Sequence, residues 1–153
     1  MDITKKTIIN IDESWLGKSD FRRFSWSPQG VTNSVPQKQI QPRISMIAGL
    51  DTNGQIYLSL VQANSNTSLM ELFFSNLILM LDKKDRHWRS RTLLLLDNAP
   101  YHSSSNMMAF YARHQLPIIF TGPHSYAACP IETWFAHFKN TNINPDQLPL
   151  GKM

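Results

Sequence analysis

Only eleven of the 153 residues are acidic, and three of them stand where a folded chain does not leave a charge without a reason. Asp12 follows the apolar run Thr7-Ile8-Ile9-Asn10-Ile11, Asp97 follows the four leucines Leu93 to Leu96, and Glu132 lies at the head of the aromatic-rich stretch Ile131-Glu132-Thr133-Trp134-Phe135. An unpaired buried carboxylate is costly, so such groups are normally kept ionised by a cation or by strong hydrogen bonds. Carboxylate oxygens are hard ligands that suit Mg2+ or Mn2+, ions that retain several waters and engage phosphate oxygens. Two such ions about 3.5–4 Å apart activate a water or a 3′-hydroxyl and stabilise the leaving oxygen of an in-line displacement. The chemistry to which the three acids point is phosphoryl transfer on a nucleic-acid backbone. Taken singly, each also has a plainer use: Asp12 or Asp97 as a turn cap, Glu132 as the acid that a helix N-terminus favours. Glu13 is the rival of Asp12, but adjacent strand residues point to opposite faces, so the two do not share one site, and Asp12 is the one chosen.

The elements that must position these acids are legible as alternating patterns. Thr7 to Ile11 is a β-favouring run that delivers Asp12 and Glu13 to its end. From Trp15 to Pro42 the chain is rich in Ser, Gln, Pro, Arg and aromatics without sustained period, which predicts a long loop with a bent strand near Phe24 to Trp26. Ile44 to Leu50 and Gln55 to Gln62 flank Asp51-Thr52-Asn53-Gly54, a hairpin signature in which Asn-Gly supplies the positive φ angles of a tight turn. Leu69, Leu72, Phe73, Asn76, Leu77 and Met80 recur near helical spacing, predicting a helix over Ser68 to Leu81 with Thr67 or Ser68 as its N-cap and Glu71 as box partner. Thr92 to Leu96 is apolar without alternation, as in a central strand buried on both faces. A helix over Ser103 to His114, a strand over Pro117 to Phe120, and a helix from Pro130 to about Lys139 follow. This order fits an α/β ribonuclease H-like fold, a mixed five-stranded sheet with an antiparallel hairpin and flanking helices, among several α/β options. The carboxylates favour it. Residues 1–140 are read as one catalytic domain and 141–153 as an irregular tail.

Composition sets the outer bounds. A chain of this length buries roughly two thirds of its unfolded surface as one domain, and 42% hydrophobic against 17% charged residues describes a globular chain. The net charge of +4 is compatible with a polyanionic partner without requiring one. Its basic residues gather in two regions, Lys18, Arg22, Arg23, Lys38 and Arg43, then Lys83, Lys84, Arg86, Arg89 and Arg91; the bland reading of each is a solvated face. One cysteine, Cys129, excludes an intrachain disulfide and any zinc site of several thiolates. His87, His114, His124 and His137 stand at no convincing ligand spacing. No apolar run approaches a membrane span, and no signal-peptide core follows Met1 to Lys6. These features predict a soluble intracellular protein with no membrane partner. Trp134 and Phe138, four apart, read as core, whereas Trp15 and Trp26 are candidates for DNA or protein contact.

The acids also lie within longer motifs. Asp97-Asn98-Ala99-Pro100-Tyr101-His102-Ser103 resembles the second-aspartate motif of transposases of the mariner superfamily, which includes related bacterial insertion-sequence enzymes, and Pro130-Ile131-Glu132-Thr133-Trp134-Phe135 with Lys139 resembles the third-acid motif. Positions 98 to 131 separate the two acids, an interval of 34 residues that a major branch of the superfamily shares. Ile11-Asp12-Glu13-Ser14 resembles the first-acid motif, and Trp26-Ser27-Pro28-Gln29-Gly30 the segment that follows it. The stretch Ser125 to Pro130 departs from the family in lacking its frequent Leu-Asn before Pro-Ile-Glu.

The resemblance implies a metal-dependent DNA transposase catalytic core, with Asp12, Asp97 and Glu132 as catalytic residues and ligands of two Mg2+ (or Mn2+) ions. It would cleave phosphodiester bonds at transposon ends and transfer 3′-hydroxyls to target DNA. Asn98, His102 and Lys139 become candidates for orienting the carboxylates or contacting DNA. Double-stranded DNA and a second copy of the chain, as a homodimer, are the implied partners. The compartment would be the nucleus in a eukaryotic host and the cytoplasm, at the nucleoid, in a bacterial one. Family members carry N-terminal helix-turn-helix modules, for which the residues before Asp12 are too few, so recognition of element ends is expected to lie elsewhere. Two alternatives stay open: a catalytically idle remnant serving DNA binding or oligomerisation, and a stand-alone ribonuclease H-like nuclease.

Overall fold

A computed structural model describes residues 6–17, 29–30, 44–122 and 129–141. The bent strand expected near Phe24 to Trp26, the first basic region and the C-terminal tail beyond 141 lie outside these residues. Strand β1 (Thr7–Leu16) pairs antiparallel with β2 (Ile44–Asp51), and β2 with β3 (Ile56–Val61). On its other side β1 runs parallel to β4 (Thr92–Leu96), which is parallel to β5 (Ile118–Phe120). The sheet order is β3-β2-β1-β4-β5, mixed and five-stranded as the order of patterns predicts.

Period-two alternation along β1 divides the molecule into two layers of core. Ile9 and Ile11 face one side, where they join Ile47 and Leu94 beneath helix α1 (Thr67–Lys84) and helix α3 (Ser105–Arg113). Phe74 of α1 packs edge-on to Tyr111 of α3, with ring centroids 5.3 Å apart. Leu16 faces the other side, with Met46 and Ala48 of β2, and is covered by Ile131 and Phe135 of helix α4 (Pro130–Asn140). Trp134 and Phe138 stack at 5.2 Å against this smaller core, the packing role their spacing predicts. Gly49 has Ile9 and Ile11 so close that an added Cβ would stand 3.0 Å from Ile9 Cγ2, and the Ile9 side chain would have to shift to admit it.

Several boundaries differ from the sequence reading. Strand β1 does not end at Asp12 but runs to Leu16, because β2 continues to pair with it through Ile44 after β4 has stopped. The hairpin turn uses one positive φ, at Gly54 (+80°), and not at Asn53. Asp51 organises it instead: its Oδ1 accepts from the Asn53 and Gln55 amides at 2.8 and 2.9 Å, a side chain standing in for a backbone turn. Helix α1 is capped one residue earlier than expected, by Asn66, whose Oδ1 accepts from Leu69 N at 3.0 Å. That places Glu71 too far along the helix to complete a capping box. A short helix, α2 (Trp88–Arg91), lies in the second basic region, where Arg89 pairs with Asp82 at 2.6 Å and Arg91 with Asp85 at 2.6 Å.

Candidate active site

Asp12 sits on β1 at the point where that strand has left β4. The last β1–β4 pair is Asn10 with Leu95, so two residues further on each strand bring Asp12 level with Asp97, the first residue past β4. Parallel register thus aligns two carboxylates 85 positions apart in sequence.

Glu132 arrives from helix α4, which covers the face of β1 that Asp12 shares with Leu16, and among the described residues a polar side chain of β1 ties that helix in place. Helix α4 begins at Pro130, which has no N–H to satisfy, and its N-cap Cys129 makes no side-chain cap bond. The next donor, Ile131 N, is buried and donates to Asn10 Oδ1 at 3.2 Å. Asn10 is 4% exposed, and its Nδ2 lies 3.5 Å from Leu95 O, so one side chain ties the head of α4 to β1 and β4 together. Its signal in the sequence is an amide within an otherwise apolar strand. Glu132 follows in the first turn of α4, exposed, in the favourable field of the helix N-terminus.

The charges of the other acids reach Asp12. Burial, opposed by the Glu13 amide that donates to Oδ1 at 2.8 Å, pushes the Asp12 carboxyl up to about 7, and the charges of Glu13, Glu132 and Asp97 push in the same direction. Burial, followed by the charges of Asp12 and Glu132, likewise raises the Cys129 thiol, which places it beside the same group. The acids do not close on one point: among the described residues no three His, Cys, Asp or Glu side chains are set closely enough to hold a metal ion alone. Mg2+ is commonly held by one or two carboxylates, with water and substrate phosphate completing its shell. A hard-oxygen donor set whose charges repel one another, with no lysine or arginine among the described residues setting the Asp12 carboxyl, fits such an ion.

Glu13, the rival of Asp12, points the other way, as strand alternation requires. Its side chain is 6% exposed, and its Oε2 accepts from Tyr101 Oη at 3.0 Å and meets His102 Nε2 at 3.1 Å. His102 is fully buried, which removes it as a DNA contact, and its Nε2 lies 3.3 Å from Asp97 Oδ1. Asn98 is exposed on the turn, and Lys139 is half-buried seven residues after Glu132 on α4. Tyr101, Asn10 and Cys129 are the site neighbours that sequence reading did not single out.

The sequence family described as DDE superfamily endonuclease matches residues 7–148. No curated protein sequence matches the chain. Among solved structures it is similar to the catalytic domain of Mos1 mariner transposase, with a TM-score of 0.63 at 16% identity over 95% of this chain and 65% of that one. A pre-cleavage Mos1 transpososome gives 0.61 at 18% over 86% of this chain and 42% of the other, and the Mos1 catalytic domain with Raltegravir and Mg gives 0.62 at 15% over 90% and 64%. The chain therefore spans about two fifths of the length of the transpososome chain. At these identities the likeness is one of fold, the ribonuclease H-like fold that the order of elements predicts. From the family match over nearly its whole length, the chain belongs to the DDE superfamily endonucleases.

Proposed function

We propose that this chain is the catalytic core of a mariner-type DNA transposase, in which Asp12, Asp97 and Glu132 hold two Mg2+ or Mn2+ ions. In this reading it cleaves phosphodiester bonds at transposon ends and joins the resulting 3′-hydroxyls to target DNA, working on duplex DNA as a homodimer. The observation that carries the reading is the β1–β4 register, which levels Asp12 with Asp97 on the side of the sheet edge that Glu132 approaches from α4. Family membership and the motifs around the acids support it.

Divalent ions bound there supply charge neutralisation at the phosphate and activation of water or a 3′-hydroxyl. The protein's own part is to hold and aim. Asp97 is fixed through Oδ1, which accepts from Ala99 N at 3.2 Å. Asn10 sets where α4 begins and hence where Glu132 stands. In the metal-free protein burial pushes the Asp12 carboxyl up to about 7, and a bound cation would favour its ionised form. Lys139 and the exposed Asn98 are the groups available to a nearby phosphate.

The test is nicking of supercoiled plasmid DNA in Mg2+ or Mn2+. Asp97→Asn is expected to reduce the rate at least ~100-fold, on the scale of several kcal/mol of lost transition-state stabilisation. Metal-dependent nicking that persists in Asp97→Asn sinks the mechanism. The open spacing of the acids favours one second reading, a remnant that keeps the fold without turnover. Wild-type protein that neither binds Mn2+ by calorimetry nor joins DNA ends would establish that reading in place of the first.

A further inference from the structure

Glu13 has a use beyond filling the strand. Its side chain is buried on the face of β1 opposite Asp12, where a carboxylate survives only with donors. Both of its donors come from the turn that follows Asp97, Tyr101 Oη at 3.0 Å and His102 Nε2 at 3.1 Å, with their rings 4.4 Å apart. The same Nε2 lies 3.3 Å from Asp97 Oδ1. A ring nitrogen placed between two carboxylates has only acceptors before it, so it carries the hydrogen. Asp97 Oδ1 accepts from the Ala99 amide and stands 3.3 Å from this nitrogen, whose hydrogen bond is made to Glu13, while among the described residues no hydrogen bond reaches Oδ2.

We infer that Glu13 and His102 form a positioning pair for Asp97: Glu13 sets the orientation and tautomer of the buried imidazole, and the imidazole, 3.3 Å from Asp97 Oδ1, fixes the side to which that oxygen turns, so that Oδ2 is presented outward. Neither Glu13 nor His102 touches substrate. The inference rests on the reading of Asp97 as a metal ligand, and it assigns the adjacent acids of β1 separate duties, Asp12 at the site and Glu13 behind its neighbour. Outer partners of this kind matter because a ligand free to rotate pays for its ordering each time it binds.

The test uses the full chain with Mn2+ affinity read by electron paramagnetic resonance, and imidazole 15N shifts of the metal-free protein. Wild type should show His102 protonated at Nε2. Asp97→Asn should lose most Mn2+ binding, and Glu13→Gln should weaken it about tenfold, the lower end of what outer partners contribute. Two amide replacements separate positioning from packing: His102→Gln carries a donor to the place of Nε2 and should stay within about threefold of wild type, whereas His102→Asn reaches only as far as Nδ1 and should weaken binding about tenfold. A merely structural role would lower the melting temperature of both histidine variants and leave the affinity of the folded protein unchanged. If Asp97→Asn loses Mn2+ while folded His102→Asn and Glu13→Gln keep it, the positioning pair is wrong and the site reading stands. If Asp97→Asn keeps Mn2+, the site reading fails and the inference with it. An Nδ1-protonated His102 overturns the pair by itself.

Discussion

At the scale of the residue, adjacent acids in one strand have opposite fates because the strand turns them to opposite faces. Asp12 is burdened by burial and by three neighbouring negative charges, and its carboxyl titrates at about 7 instead of 3.8. A raised folded-state pKa means that the folded chain holds this proton more tightly than the unfolded chain. The resulting stability is fully present below about pH 4 and is lost as pH rises through about 7. At about 1.4 kcal/mol per pH unit, the loss amounts to a few kcal/mol. Metal-free Asp12→Asn should therefore be more stable than wild type at pH 8 by urea unfolding, with the difference shrinking toward pH 4. Equal stabilities at pH 8 would mean that Asp12 is better solvated than its surroundings indicate.

At the scale of the element, a hydrogen bond from across the sheet joins the head of α4 to β1. Helix α4 has no capping side chain of its own, and Asn10 of β1 takes the place of one from across the sheet. Replacing Asn10 by Ala strands the Ile131 amide in the interior, at a cost of about 1–3 kcal/mol. Thermal unfolding of Asn10→Ala should show that loss, and Mn2+ affinity should fall as well, because the helix that carries Glu132 is no longer pinned. A folded Asn10→Ala variant with unchanged melting temperature would show that α4 is held by its apolar face alone. The element pattern was otherwise readable where the local signal was strong, in the unbroken apolar run Thr92–Leu96 and the proline-headed Pro130–Asn140, whose bounds fall within a residue of those expected. It was less readable where partners decide the ends. β1 extends to Leu16 because β2 is there to receive it, and the short α2 sits in a basic run that has no apolar period to reveal it.

At the scale of the whole molecule, the two apolar cores lie on opposite faces of the sheet, and the proposed site draws Asp12 from β1, Asp97 from the end of β4 and Glu132 from α4. If the acids hold a metal ion as proposed, folding creates a binding site that the unfolded chain does not possess. A ligand specific to the folded state stabilises it by about 2.7 kcal/mol at one hundred times its dissociation constant. Saturating Mn2+ is therefore expected to raise the melting temperature by several degrees, a chelator to reverse the shift, and Asp97→Asn to abolish it. A melting temperature indifferent to Mn2+ in the wild-type chain would argue for the idle remnant. Among the described residues no helix is long and apolar enough to cross a membrane, in keeping with the absence of long apolar runs.

Sequence alone singled out the candidate acids, placed Asp12 and Glu13 on opposite faces of one strand, and determined that a hairpin and alternating helices would build a mixed sheet. Those features are local: they follow from residue type, from the periods of strand and helix, and from short motifs around each acid. Only tertiary structure decided that Asn10 would meet Ile131 across 121 positions and that Glu13 would meet His102 across 89. Both contacts depend on strand register and on where a helix docks. Those are set by the collective burial of two apolar cores, which no single stretch of sequence encodes.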